Sequence, residues 1–264
     1  MITAESHYLP LAAAYVRGAL GEGAGAGGGA AGERGGAGSA GGGAAGERGG
    51  AGGAGGGAAG ERGGAGGAGG GAAGESDEAA VARGLAAGLE LHRFKRSAQL
   101  PRVRAVLGAL RGFAPDRLID LGSGRGVFVW PLLEALPDLA ITATDVLERR
   151  ARVFACVGRG GIDRLTAVRA DATALPFADG SAACVTALEM IEHLPGDGPA
   201  RAAREALRVA RTAVIATVPS HEDDNPEHVH LFDGPRLEAL LRAAGARRVR
   251  IEHVLNHIVA VALR

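Results

Sequence analysis

Nine residues, Leu118-Ile119-Asp120-Leu121-Gly122-Ser123-Gly124-Arg125-Gly126, carry the densest chemical signal in this chain. An apolar run ends in an acid and then meets glycines at alternate positions. Glycine has no Cβ, so main chain at such a turn can lie directly against a ligand. The spacing narrows which ligand. A dinucleotide fingerprint reads G-x-G-x-x-G; here its last position is Val127, and the glycines fall as G-x-G-x-G. A nicotinamide-dependent oxidoreductase would need glycine there. No Lys-Ser or Lys-Thr follows, which disfavours a phosphate-binding loop. Three more acids, Asp145, Asp171 and Glu189, each follow an apolar run. One acid after a strand is an ordinary helix cap. An ordered series of them describes a pocket rimmed by carboxylates.

A second group lies downstream. Glu189, Glu192 and His193 stand at i, i+3 and i+4 and would share a face if that stretch were helical. Residues 218–232 are polar, bounded by prolines and rich in histidine, with His221, His228 and His230.

These groups need elements to hold them. Strands are expected at 117–121, 140–144, 165–170, 182–188, 213–218, 249–253 and 257–263, and helices at 126–136, 147–157, 199–210 and 234–244. Ala213-Val214-Ile215-Ala216-Thr217-Val218 is apolar on both sides, which suits a parallel sheet covered on both faces. Alternating strand and helix predicts a doubly wound α/β fold. Only Val254-Leu255-Asn256 separate the last two strands, too few for a crossover, so they form an antiparallel hairpin. Ahead of the sheet, residues 6–20 read as a helix, and 78–110 as one or two more, broken near Pro101. The latter stretch is basic, with Arg93, Lys95, Arg96, Arg102, Arg104 and Arg111. It reads either as a solvated face or as a lid that touches an anionic substrate.

Composition bounds the rest. Of the 46 glycines in 264 residues, 30 fall between Gly21 and Gly74. That segment repeats every 14 residues, with Gly27-Gly28-Gly29-Ala30-Ala31-Gly32-Glu33-Arg34 recurring from Gly41 and Gly55 and, ending in serine, from Gly69. It holds no aromatic, branched aliphatic or proline, so it has no apolar face for a solenoid and no collagen pattern. A disordered, flexible insert is the expectation. The expected organisation is therefore an N-terminal helix (1–20), the glycine-rich insert (21–74), a helical lid (75–116) and one α/β domain (117–264). Net charge is +0, which weakens the case for nucleic-acid binding. Cys156 and Cys184 lie in apolar contexts and read as buried thiols. No apolar run reaches the roughly 18 residues a membrane span needs, and the N-terminal residues do not resemble a secretory signal, so a cytoplasmic protein is expected.

The glycine loop after Asp120, together with the order of strands and the final hairpin, resembles class I S-adenosylmethionine-dependent methyltransferases of the type 11 kind. The resemblance covers residues 118–264. It implies a seven-stranded, mostly parallel Rossmann-like sheet and S-adenosylmethionine (SAM) as cofactor. In that family the loop of Gly122, Ser123, Gly124 and Gly126 wraps the methionine part of SAM, and Asp120 helps hold its ammonium. Asp145, with Val146 beside it, faces the ribose hydroxyls; Asp171 and the N–H of Ala172 meet the adenine; Glu189 closes the set. Carboxylates around the pocket also suit a sulfonium cation better than a pyrophosphate. A small-molecule acceptor, methylated on oxygen, is the expectation.

For the acceptor side, three roles stay open. Glu192 and His193 can cap a helix while His228 and His230 anchor a loop. His193, or His228 or His230, can take a proton from the acceptor. Or Glu189, Glu192, His193 and His230 can ligate a divalent metal, as in the similar Glu-x-x-Glu-His centre of small-RNA 2′-O-methyltransferases. A metal-dependent RNA methyltransferase and a non-catalytic SAM-binding protein are the alternative functions.

Overall fold

Strands that are apolar on both sides need cover on both faces, and the chain provides it. The computed structural model describes residues 2–21, 74–96, 100–221 and 226–264; the glycine-rich insert, apart from its two end residues, lies outside them. Seven strands form one sheet: β1 (Arg117–Leu121), β2 (Ala140–Asp145), β3 (Leu165–Arg169), β4 (Ala182–Leu188), β5 (Ala210–Pro219), β6 (Arg248–Val254) and β7 (His257–Leu263). Their order is β3-β2-β1-β4-β5-β7-β6. Strands β1 to β5 pair in parallel, and β7 runs antiparallel to both β5 and β6. The expected doubly wound sheet with a C-terminal hairpin is what forms. Chain order runs outward from β1 to one edge, then resumes at β4 toward the other. The switch point lies between β1 and β4, where open α/β sheets bind ligands beyond the strand ends.

Seven α-helices are described: α1 (Leu9–Leu20), α2 (Asp77–Ala86), α3 (Pro101–Phe113), α4 (Val129–Ala135), α5 (Glu148–Arg159), α6 (Gly198–Val209) and α7 (Gly234–Ala243). Successive strand residues point to opposite faces. Leu118, Ile141, Ile215 and Val259 therefore pack under the layer that holds α1 to α5. Ile119, Val185, Val214 and Ile258 pack under α6 and α7.

The helices before the sheet are fastened to it and to each other. α1 lies on α5 so closely that a Cβ on Gly18 would sit 1.9 Å from the Cys156 carbonyl oxygen. Arg17 near the end of α1 donates to the Asp77 carboxylate at 2.7 Å and to the Glu75 carbonyl at 2.8 Å. α3 opens with Pro101 in its first turn, where a missing N–H costs nothing. Cys156 and Cys184 are free and buried, and burial pushes the Cys184 thiol up to about 11. Among the described residues no helix is long and apolar enough to cross a membrane.

Candidate functional site

The glycine loop sits at the end of β1 with all three glycines left-handed: φ is 66° at Gly122, 59° at Gly124 and 87° at Gly126. Side chains would not fit at two of them. A Cβ on Gly122 would meet Met190 at 2.5 Å, and one on Gly126 would meet the Trp130 indole at 2.1 Å. At Gly124 the nearest atom would be the Gly122 oxygen at 3.7 Å, so space above the loop is open there. The loop is tied across to β2. The Ser123 N–H donates to the Thr144 carbonyl at 2.8 Å, and the Gly124 N–H donates to Asp145 Oδ2 at 3.0 Å. Asp145 Oδ1 accepts from the Leu147 N–H at 2.9 Å. Asp145, itself buried, thus holds the loop and the start of the next helix.

Asp120 is almost fully buried at 2% exposure. It accepts from the Thr186 hydroxyl at 2.6 Å. Burial is the main cause that pushes its carboxyl up to about 6; the Thr186 and Ser123 hydroxyls offset part of that rise, and neighbouring Asp145 adds to it. Asp171 is exposed, and its Oδ1 accepts from both the backbone N–H and the hydroxyl of Thr173 at 2.8 Å. These bonds hold its carboxyl below the ordinary value. Ala172 follows, partly buried. Val146 and Val127 stand 56% and 45% exposed beside the loop, an apolar surface a flat ring can rest on.

The acceptor-side candidates divide. Glu189 adopts a left-handed φ of 54°, and only Ile191–His193 form a short 3₁₀ turn. The stretch is not an α-helix, so Glu189 does not share a face with Glu192 and His193. Its Oε1 accepts from the Thr217 hydroxyl at 2.6 Å, and its Oε2 lies 3.1 Å from His257 Nε2. Glu192 is buried, and its carbonyl accepts from the N–H groups of Val229 and His230 at 3.0 and 3.1 Å. That tie swings the loop after β5 back over the loop after β4. His228 lies against His193, ring centres 4.7 Å apart. Ligand atoms of Glu192, His193 and His228 all fall within 4.8 Å of one another. Of the four residues read as metal candidates, Glu192 and His193 therefore converge, with His228 as third member. Glu189 faces elsewhere, and His230 lies against Phe232 with ring centres 6.1 Å apart.

Sequence reasoning did not single out Thr217 or His257. Both come from β5 and β7, and only the antiparallel pairing of those strands brings them to Glu189. Arg102, read earlier as one of a basic stretch, is the third neighbour: its Nε lies 3.9 Å from Glu189 Oε1. No local spacing connects these three.

Comparison with known proteins bears on the fold that carries this site. Residues 118–213 match a methyltransferase-domain family. The malonyl-[acyl-carrier protein] O-methyltransferase of Methylococcus capsulatus is 32% identical over 167 residues, 56% of this chain; the chain spans 58% of that relative's length. A SAM-dependent methyltransferase from Aquifex aeolicus has the same fold, at a TM-score of 0.51 and 20% identity over 62% of this chain and 90% of that one. So does 1,6-didemethyltoxoflavin-N1-methyltransferase of Burkholderia thailandensis, solved with S-adenosylhomocysteine, at 0.52 and 22% over 63% and 78%. The glycine loop at the switch point and the acids along the strand ends stand on a fold shared with solved SAM-dependent methyltransferases, and residues 118–213 match a methyltransferase-domain family.

Proposed function

We propose that the chain transfers a methyl group from SAM to an oxygen of a small-molecule acceptor. The observation that carries this reading is the left-handed loop at Gly122, Gly124 and Gly126, hydrogen-bonded to Asp145 beyond the β1/β4 switch point. The residues fit SAM. Open space at Gly124, buried Asp120 and exposed Val146 match a cationic amino-acid end and a flat aromatic end. Asp120 and the loop N–H groups would hold the methionine part, Asp145 the ribose, and Asp171, Ala172 and Val146 the adenine.

When bound, SAM supplies an already activated methyl group. The chain's own task is then to hold donor and acceptor in line, which can account for much of the acceleration. A proton is the remaining problem. His193 Nδ1 lies 2.9 Å from the Glu227 carbonyl oxygen. A carbonyl only accepts, so the neutral ring carries its proton on Nδ1 and keeps a lone pair on Nε2. Nε2 is the atom that can take a proton from a hydroxyl acceptor. A carboxylate acceptor, as in the reaction named for the Methylococcus relative, is ionised at neutral pH and needs no base.

The proximity of Glu192, His193 and His228 supports a second reading, in which a divalent cation assists the acceptor. A chelator separates the two: activity unchanged by chelation, with no metal in the purified protein, excludes the second. Calorimetric titration with SAM and S-adenosylhomocysteine (SAH) tests the first. Micromolar binding of both is expected, and a protein that binds neither is not a methyltransferase.

A further inference from the structure

β4 reads Ala182-Ala183-Cys184-Val185-Thr186-Ala187-Leu188, and every residue of it is buried. A hydroxyl in such a strand needs an acceptor, because an unpaired polar group away from water costs free energy. The parallel register sets Thr186 directly beside Asp120 on β1. Its hydroxyl donates to Asp120 Oδ1 at 2.6 Å, and neither residue is more than 2% exposed. β2 adds a second threonine: buried Thr144 donates to the Asp120 main-chain carbonyl at 3.0 Å. The Ser123 hydroxyl lies 3.2 Å from the same carbonyl and favours the carboxylate less than Thr186 does. β5 repeats the device one strand further on, where buried Thr217 donates to Glu189 Oε1 at 2.6 Å. Two acids near neighbouring strand ends are thus each held by a threonine from the next strand.

The bond to Asp120 has a sign. A hydroxyl that donates to a carboxyl oxygen favours the carboxylate over the neutral acid. Burial opposes it and is the larger effect, so Asp120 titrates at about 6 instead of 3.8. Asp145, at the end of β2, is the charged group that bears on Asp120, and it pushes the same way as burial. Arg150 of α5 faces Asp145, 3.5 Å from its Oδ2. β4 and the glycine loop turn hydroxyls toward Asp120, those of Thr186 and Ser123. A carboxyl poised this close to neutral pH changes its charge there when one hydrogen bond is lost.

We propose that Thr186 is a positioning residue of the cofactor site: its hydroxyl fixes the Asp120 carboxylate and favours the charged form that holds the ammonium of the cofactor. The proposal rests on the methyltransferase reading. Thr186 is sealed inside the sheet and acts through Asp120.

The test is a pH profile of binding. SAH carries the ammonium; 5′-methylthioadenosine keeps the adenosine and lacks it. Both are titrated by calorimetry, between about pH 5 and pH 8, onto three chains. These are the wild type, Thr186→Val, which keeps the shape and removes the hydroxyl, and Thr186→Ser, which keeps the hydroxyl. Wild-type affinity for SAH rises through about pH 6 and then levels. In Thr186→Val that rise moves up by about one pH unit, so SAH binds about fivefold more weakly near pH 6. Thr186→Ser keeps the wild-type midpoint. Methylthioadenosine binds all three chains alike at each pH, whereas a merely structural loss would weaken both nucleosides together. Should Thr186→Val fail to fold, the same profile is read on Thr186→Ala. An unchanged SAH midpoint in the chain without the hydroxyl overturns the proposal, whatever its affinity. A shift that methylthioadenosine shares, or a wild-type SAH profile that is flat across the range, overturns it too. A wild-type chain that binds neither nucleoside overturns the methyltransferase reading and the proposal with it.

Discussion

At the residue scale, Asp120 is where stability and function pull in opposite directions. Its carboxyl is pushed from an ordinary 3.8 up to about 6. A carboxyl with a raised folded value favours folding fully below about pH 4, and that contribution is lost as pH rises through about 6. The rise corresponds to about 3 kcal/mol between those limits. Glu134 and Glu205, held below their ordinary values by hydrogen bonds from Arg96 and Arg208, act with opposite sign, so a difference between variant and wild type isolates Asp120. The stability of Asp120→Asn relative to wild type is expected to climb as pH goes from 4 to 7, measured by urea unfolding; a flat difference would mean the carboxyl is not strained. An ionised Asp120 attracts a cation, so wild-type affinity for SAM is expected to rise over the same range, and calorimetry at pH 5 and 7 reads it. Gly124→Arg belongs to the same scale. The left-handed φ costs a non-glycine residue about 1 kcal/mol, which the domain can bear, but the side chain would enter the open space above the loop. Loss of SAH binding with a melting midpoint within a few degrees of wild type is the expected result. Asp145→Ala should weaken SAH by about 1–3 kcal/mol, since a charged acceptor for the Gly124 N–H goes with it; unchanged affinity would put the ribose elsewhere.

At the element scale, periodicity reads well wherever packing and local preference agree. β1, β4 and β7 have the bounds their apolar runs indicate, because each is flanked by turn residues. The helix after the glycine loop begins at Val129, not Gly126, since Gly126 is left-handed and its N–H closes a turn onto the Ser123 carbonyl. β5 begins three residues early, at Ala210, because the β4 register shifts between Ala182 and Cys184 and leaves Ala210 a partner. The least legible part was Glu189. A helical spacing to Glu192 and His193 was visible, yet one positive φ turns the acid toward β5 and β7, and no sequence period encodes that. The expected contribution of an element shows in α1. Gly18→Val would drive a branched side chain into the Cys156 carbonyl at the contact with α5. Overpacking of this kind costs about 1–3 kcal/mol or more, and α1 is expected to lift from α5. Earlier proteolysis within residues 9–20, at unchanged sheet content by circular dichroism, is the measurement; resistance equal to wild type would show that α5 gives way instead.

At the scale of the whole molecule, the segment between Gly21 and Gly74 is joined to both sides of one helical layer. Arg17 before it binds Glu75 and Asp77 after it, so the two flanks meet without help from the residues between. A sequence without branched aliphatic or aromatic side chains has little to bury, and closing so long a chain costs entropy that grows as (3/2)RT ln n. Replacing residues 22–73 with about six residues of glycine and serine should therefore raise stability by about 2 kcal/mol, seen as a higher urea midpoint at equal slope. SAH affinity should not move, because every residue assigned to the cofactor lies outside residues 22–73. A shortened chain that binds SAH more weakly would place part of the repeat against the crevice. One that unfolds at lower urea would show that the repeat packs on the domain after all.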